Sequence, residues 1–587
     1  MIGDWIHPGL LLILGSFLIP FFKGKLKQFY LVLIPTFALL ICVNLNAGHY
    51  GVLNFLGLDI TILRIDKLSL VFSYVFCIMG IIGMIYALHV KDDLQHIAAF
   101  IYIGSSLGVV FAGDLVVLYV FWELMAFSAS ALVFARRTKE SIDSGYRYIL
   151  VHVVSGLCLL GGIVIHATQT GSIAFTSMIP YEGNISFYLI LISFLINAAV
   201  PPFGAWLPDA YPNATVTGAI FMTAYTTKSA VYVLIRGFPG AEILIWLGAI
   251  MAVYGVVYAV LENDSRRLLA YHIISQVGYM VCGVGIGTEM ALNGATAHAF
   301  SHILYKGLLF MGAGAVLYMT GKSKLNELGG IYKTMPLTMV LYMIGGFSIS
   351  GVPLFSGFVS KSVTVSAVAE AHMSIPYLML LLASSGTFLH TGLKLPYYMF
   401  FWKDSGIRTQ EPPSNMIVAM VIASLLCIFI GIFPNTLYAI LPYPINYEPY
   451  TVHHIISTLG ILAFTALGFF MLLSHLDPEP KISLDTDWFY RKGAKLGRKL
   501  LNVIIVPAEY KFISLLWKRI MDGIIIPFGL KVNKFENLKV SRIPEFFGNL
   551  SKLLSDGLAV FHTGKIQDYA IYMLSFLGLV LLIYFLF

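Results

Sequence analysis

The sequence predicts an all-α polytopic membrane protein of about 16 transmembrane helices, and three observations predict it. Of the 587 residues, 58% are hydrophobic and 11% charged, and the mean hydropathy of +0.83 excludes an ordinary soluble domain. Apolar runs of the length a hydrocarbon core demands, about 20 residues, recur along the chain. The basic residues between those runs alternate between two sides. One set of loops holds Lys23, Lys25 and Lys27, then Arg136, Arg137 and Lys139, then Arg266 and Arg267, then Lys322, Lys324 and Lys333, then Lys403 and Arg408. The opposite loops hold little beyond Arg64, Lys67 and Arg236. The positive-inside rule makes the first set cytoplasmic and puts the N-terminus outside.

In order, the expected spans lie near 8–22, 29–47, 67–88, 96–112, 114–134, 145–167, 186–205, 217–236, 241–261, 268–287, 292–319, 337–369, 374–401, 414–440, 453–474 and 566–587. The opening MIGDWIHPGL has no basic n-region and no small-residue cleavage site, so it does not read as a signal peptide. Pro201–Pro202 breaks its span, either to free carbonyls for a hydrated cavity or as a kink at the membrane edge. Between 478 and 563, Lys and Arg mix with apolar residues at helical spacing, and Pro507 and Pro527 divide the stretch. That pattern fits an amphipathic lateral helix, serving as a basic interfacial tether or clamping partner subunits. The run at 566–587 is a terminal anchor.

Cys42, Cys77, Cys158, Cys282 and Cys427 lie in or beside apolar runs without CxxC spacing, which argues against iron–sulfur, zinc or disulfide chemistry. No GxGxxG follows a strand. The reading therefore assigns no cofactor and no metal, and any redox chemistry belongs to another polypeptide. The net charge of +7 is spread over loops, so it reports orientation and gives no reason to expect nucleic acid.

The stretch most charged with chemistry is 293–319, where His298, His302 and Lys306 fall at i, i+4 and i+8. On a helix they share one face over about 12 Å. Bases at such depth are costly and look into a bundle or a wet cavity, so they read as stations of a proton path. Lys361 in GVPLFSGFVSKS is a second buried base, and Glu123 lies about ten residues into its apolar run, roughly 15 Å down the axis. An ionised carboxylate there needs a partner or water. Arg147, His152 and Lys228 are candidates, with Lys228, midway along its run, preferred. The HxxxH at 298–302 also admits a metal or haem, which Lys306 one turn on would repel. His453–His454, beside a helix start, reads as an interfacial pair.

WEL around Glu123, PPFGAWLPDAYPNATVTGA at 201–219, DSRRLLAYHIISQVGY at 264–279, HAFSHILYKGLLFMGAG at 298–314 and GVPLFSGFVSK at 351–361 occur together and in order. The chain resembles the antiporter-like subunits shared by respiratory complex I, membrane-bound hydrogenases and Mrp-type sodium/proton antiporters. The resemblance implies two inverted five-helix repeats with broken helices, at 96–236 and 241–401, after N-terminal helices at 1–95 and before further helices at 414–474. It implies a proton relay of Glu123 on the fifth helix, Lys228 on the eighth, His298 and His302 as bridges, Lys306 at the centre and Lys361 at the exit. Two positions depart from the pattern. Asn197 stands where relatives carry the lysine that pairs with the glutamate, so Lys228 substitutes or this half carries no protons. His272 stands where a hydroxyl residue is common. The core looks M-like or Mrp D-like, whereas the C-terminal segment resembles the L-type subunit.

What the resemblance implies is a proton-translocating subunit in the cell inner (plasma) membrane, driven by redox chemistry or cation exchange in other subunits. The implied partners are other membrane subunits, a further antiporter-like one among them. Protons are the expected cargo, with sodium as a second ion. The alternatives are an Mrp D-type subunit without redox function and the membrane partner of an inorganic-carbon uptake system.

Overall fold

The computed structural model describes residues 6–55 and 58–475 and isolated positions between 477 and 503. The chain divides into Met1–Trp488 and Phe489–Phe587, and the first of these holds the helical bundle. Apart from those isolated positions, the expected lateral segment at 478–563 and the anchor at 566–587 lie outside the described residues.

The elements are α1 (Pro8–Ser16), α2 (Gly24–Asn44), β1 (Gly48–Phe55), β2 (Leu58–Ile65), α3 (Lys67–Ala87), α4 (Asp93–Phe111), α5 (Leu115–Phe134) and α6 (Lys139–Thr170). Next come α7 (Ile185–Asn197), α8 (Trp206–Asn213), α9 (Val216–Ala224), α10 (Thr226–Gly237), α11 (Glu242–Leu261), α12 (Ser265–Ile286) and α13 (Glu289–Thr320). The described part closes with α14 (Pro336–Ser350), α15 (Ser356–Glu370), α16 (Ser374–Thr387), α17 (Ser414–Ile432), α18 (Pro434–Tyr438) and α19 (Val452–Met471). Beyond Thr387 the helix widens into π-helical turns at Phe388–Lys394 and Tyr397–Phe401.

Among the described residues, 11 helices are long and apolar enough to cross a membrane. The other expected spans there are short or interrupted. α7 is 13 residues long, about 20 Å, so its end at Asn197 falls inside the hydrocarbon rather than at its edge. The expected run 337–369 is likewise two helices, α14 and α15, separated by Gly351–Phe355. Both breaks hold a non-glycine residue at positive φ, Ala199 at 61° and Leu354 at 75°, a conformation that persists only where packing imposes it. The third break parts α9 from α10 at Tyr225, three residues before Lys228.

The β1–β2 hairpin, pairing Gly48 with Ile65 through Phe55 with Leu58, was not expected from the apolar runs. It closes one end of the bundle. The Thr61 carbonyl accepts from the Gly113 amide at 3.1 Å, Arg64 donates to the Phe175 carbonyl at 2.6 Å, and Arg64 and Arg236 both pair with Asp66. At the other end Arg136 and Arg266 both donate to the Pro212 carbonyl, at 2.6 and 3.1 Å.

These two ends reveal a duplication at an offset of about 150 residues. Asp114 caps α5 through the Val116 and Val117 amides, and Asp264 caps α12 through the Arg266 and Arg267 amides. Asp114 bridges to Ala174 and Asp264 to Lys324. α6 and α13 are each 32 residues long and end on the left-handed glycines Gly171 and Gly321. Yet α6 begins at the Arg136 end, whereas α13 finishes there, beside Asp264. The two halves are inverted copies, a recurrent design of membrane transporters. α11 and α12 pack backbone to backbone: a Cβ on Gly255 would lie 2.4 Å from the Ser275 amide nitrogen, the close approach that small residues allow in lipid.

Candidate functional site

α13 runs through the centre of the second half, and residues 291–316 are buried throughout. His298, His302 and Lys306 are fully buried on it. The His298 and His302 rings lie 6.1 Å apart, with Tyr305 5.3 Å from the second. Neither nitrogen of His302 nor Nζ of Lys306 has a hydrogen-bond partner within the described protein. Buried polar atoms left so are rare and costly, and they mark places where a mobile donor or acceptor belongs.

The break between α14 and α15 brings Lys361 alongside. Ser360 Oγ lies 3.4 Å from Nδ1 of His298, and Lys361 donates to Ser384 on α16 at 3.0 Å. The Lys361 ammonium also sits 5.7 Å from the centre of the Tyr279 ring, whose other neighbour is His298 at 5.8 Å. The structure thus brings Lys361 of α15 beside His298 in the row that the spacing on α13 put on one face.

Lys228 differs from its expected role. The end of α9 leaves the Thr223 carbonyl without a helical partner, and Lys228 donates to it at 2.6 Å and to Thr227 Oγ1 at 3.1 Å. No carboxylate pairs with it among the described residues, and α10, which carries it, packs against α13 of the second half. Lys228 therefore faces the second half from the first.

Glu123 pairs with none of its three candidate partners. Its Oε1 is buried and unpartnered, and it sits against Gly156 of α6, where a Cβ would lie 1.7 Å away. Arg147 holds Asp209 through two bonds of 2.6 and 2.9 Å. His152 bonds the Tyr148 carbonyl at 2.9 Å and is stacked on Tyr148 and against Trp206. Asn197 is fully buried, with both amide atoms unpartnered.

Sequence reasoning noted His272 only as a departure from the family pattern and missed the polar group it belongs to. His272 on α12 reaches Thr387 Oγ1 at 3.1 Å and Thr391 Oγ1 at 2.9 Å, and Thr391 meets Nδ1 of His390 at 2.7 Å. Lys394 comes next, buried and bonded to the Val260 and Glu262 carbonyls. His390 and Lys394 stand four apart inside an apolar run, the same signal that marks α13. Among the described residues, no three His, Cys, Asp or Glu side chains converge as metal ligands.

Comparison with known proteins places this architecture. Residues 112–389 match the family model of the NADH:quinone oxidoreductase/Mrp antiporter transmembrane domain. An uncharacterized protein of Methanocaldococcus jannaschii is 30% identical over 354 residues, 57% of this chain and 73% of the relative. A protein named Na(+)/H(+) antiporter subunit A1, from Staphylococcus haemolyticus, is 27% identical over 537 residues, 80% of this chain and 66% of that protein. The fold is shared with a chain of the Mrp complex from Dietzia sp. DQ12-45-1b, with a TM-score of 0.72 at 21% identity, covering 88% of this chain and 62% of that one. It is shared equally with a chain of the membrane-bound sulfane sulfur reductase, an archaeal respiratory membrane complex, with a TM-score of 0.70 at 23% identity and coverage of 98% and 99%. With its inverted halves, broken helices and multi-pass architecture, this chain is an antiporter-like membrane protein and belongs to the NADH:quinone oxidoreductase/Mrp antiporter family.

Proposed function

We propose that this chain is a proton-translocating subunit of a multi-subunit ion-pumping membrane complex. The observation that carries the reading is the buried row of His298, His302 and Lys306, which has unpartnered nitrogens and is flanked by Lys228 and Lys361. A neutral lysine amine in that row takes a proton from a neighbouring imidazole and returns to neutrality by passing it on. Lys228 supplies the charge that biases the row from the first half, and Lys361 carries the proton outward. Charge acts strongly across such an interior because little there screens it. Glu123, in the same half as Lys228 but unpaired with it, is the acidic station of the first half.

The driving event, redox chemistry or cation exchange, belongs to partner subunits. Relatives named as antiporter subunits and the two multi-subunit complexes that share the fold support such partners. The antiporter relative from Staphylococcus haemolyticus carries the name subunit A1, which favours an A-like assignment over a D-like one. Membership of the family supports the plasma membrane, and the charge pattern supports an orientation with the Arg136–Arg266 end cytoplasmic and the N-terminus outside.

The test is Lys306→Ala in the intact complex reconstituted into vesicles. Proton movement is expected to fall to background while the complex still assembles. Transport at the parent rate would remove the proposal.

A further inference from the structure

We propose a second proton branch, from Lys306 through His272, Thr391 and His390 to Lys394, opening at the Glu262–Arg267 end of the bundle. It rests on the relay proposed above and adds residues that the relay does not use.

The outer part of the branch lies along one helix, the one that continues α16. Ser384, Thr387, Thr391 and Lys394 recur at intervals of three and four, so they form a polar stripe on an otherwise apolar span. Each member of the stripe touches a titratable partner or a carbonyl. Ser384 accepts from Lys361, Thr387 and Thr391 both meet His272, and Lys394 donates to two carbonyls of the α11 end. The helix turns π-helical at Phe388–Lys394, where the stripe passes His390, and π-turns are concentrated at functional sites.

The hydrogen bonds are continuous between the two imidazoles. Nδ1 of His272 meets Thr391 Oγ1 at 2.9 Å, the same hydroxyl meets Nδ1 of His390 at 2.7 Å, and the two rings lie 4.5 Å apart. Nε2 of His390 is buried without a partner. Lys306 is close enough to act electrostatically on both imidazoles. At the outer end Glu262 pairs with Arg267 at 3.1 Å, and the Arg267 side chain is 25% exposed, so the stripe ends within reach of solvent.

A proton entering from that end crosses in four transfers. The Lys394 ammonium gives its proton to Nε2 of His390. His390 releases the proton on Nδ1 to the Thr391 hydroxyl, which passes its own to Nδ1 of His272. His272 releases the proton on Nε2 to the neutral amine of Lys306; the two imidazoles end neutral in the other tautomer, Lys394 takes a new proton from the solvent end, and Lys306 passes its own to the row on α13. Water carries the proton across the two joints, Lys394 to His390 and His272 to Lys306, where the side chains make no direct bond.

A polar stripe also arises when a helix is merely anchored, and Lys394→Arg separates the two. Arginine keeps the positive charge and the bonds to the carbonyls but does not deprotonate in a protein. The whole complex is reconstituted, and proton uptake is read with an internal pH dye for Lys394→Arg, Lys394→Met, His390→Gln and Lys306→Met. The expected result is a loss of tenfold or more in all four, with Lys394→Arg as slow as Lys394→Met. Parent-like uptake by Lys394→Arg makes Lys394 an anchor and overturns the branch, as does parent-like uptake by His390→Gln. His390→Gln leaves Lys394 in place and decides the matter if the Lys394 variants do not assemble. Parent-like uptake by Lys306→Met overturns the relay itself, whereas loss there with normal His390→Gln overturns the branch alone.

Discussion

The carboxylate of Glu123 lies over the bare backbone of Gly156, so close that a Cβ on that glycine would sit 1.7 Å from Oε1. At the offset of the duplication, the counterpart of Gly156 on α13 is Lys306. One half thus keeps an acid against an empty position where the other half keeps its central base. The same offset sets His152 opposite His302, yet the first is wedged against Tyr148 and Trp206 while the second has both nitrogens unpartnered.

Gly156→Ala should therefore displace Glu123. Overpacking of this kind costs about 1–3 kcal/mol, and the carboxylate is the movable partner. The expected outcome is an assembled complex of lowered thermal stability, with weakened coupling between proton movement and its driving reaction. Parent-like stability and coupling would show that the contact has no consequence.

Asn197→Leu is expected to raise stability. Both amide atoms are buried and unpartnered, a state costing about 1–3 kcal/mol per group relative to an apolar residue of similar shape. A higher melting temperature of the purified protein with unchanged transport fits an idle position in the first half. Loss of transport would instead give Asn197 a role of its own.

Arg147→Met leaves the Asp209 carboxylate buried opposite a missing charge, and breaking such a pair costs about 3–5 kcal/mol. The double variant Arg147→Met with Asp209→Leu should recover most of that loss. A double-mutant cycle on thermal unfolding measures it, and additive losses would argue that the pair is not coupled.

In the loops outside the membrane, Asp404 accepts from Arg408 and Lys333. Hydrogen bonds from Arg408 and then Lys333 hold its carboxyl well below the usual carboxylate range. A depressed folded value means stability that is present above the ordinary value, about 3.9, and lost as pH falls through the folded one. Asp404→Asn should lower the melting temperature slightly at neutral pH and not at strongly acidic pH, with the gap shrinking in salt because the pair is exposed. A gap that grows on acidification would contradict the assignment.

The apolar runs carried most of the fold because each span is set by bilayer thickness, which any hydropathy pattern records. The interruption at Pro201–Pro202 was legible because two prolines cannot continue a helix. That at Gly351–Phe355 carried a like signal in Gly351 and Pro353, but Val352, Leu354 and Phe355 keep the run oily through the break and it was read as continuous. His298, His302 and Lys306 were legible because one helix carries all three. The pairing of Glu123 with Lys228 failed because it needed two helices, and the break at Tyr225 turns Lys228 toward the Thr223 carbonyl instead. His390 and Lys394 offered the α13 signal again, but their partner His272 lies on another helix, and only the fold brings the three together.

α6 and α13 have equal length but unequal surroundings. At 32 residues each they extend about 48 Å, well beyond a hydrocarbon core of about 30 Å. α13 is sheathed by its neighbours, whereas Val154 and Leu157, on either side of Gly156, stand exposed on the outer face of α6. Among the described residues, the helix against which Glu123 rests thus turns apolar side chains outward, whereas the one bearing Lys306 is covered from 291 to 316. A change in what lies against that outer face therefore reaches the helix on which Glu123 rests more directly than the one bearing Lys306.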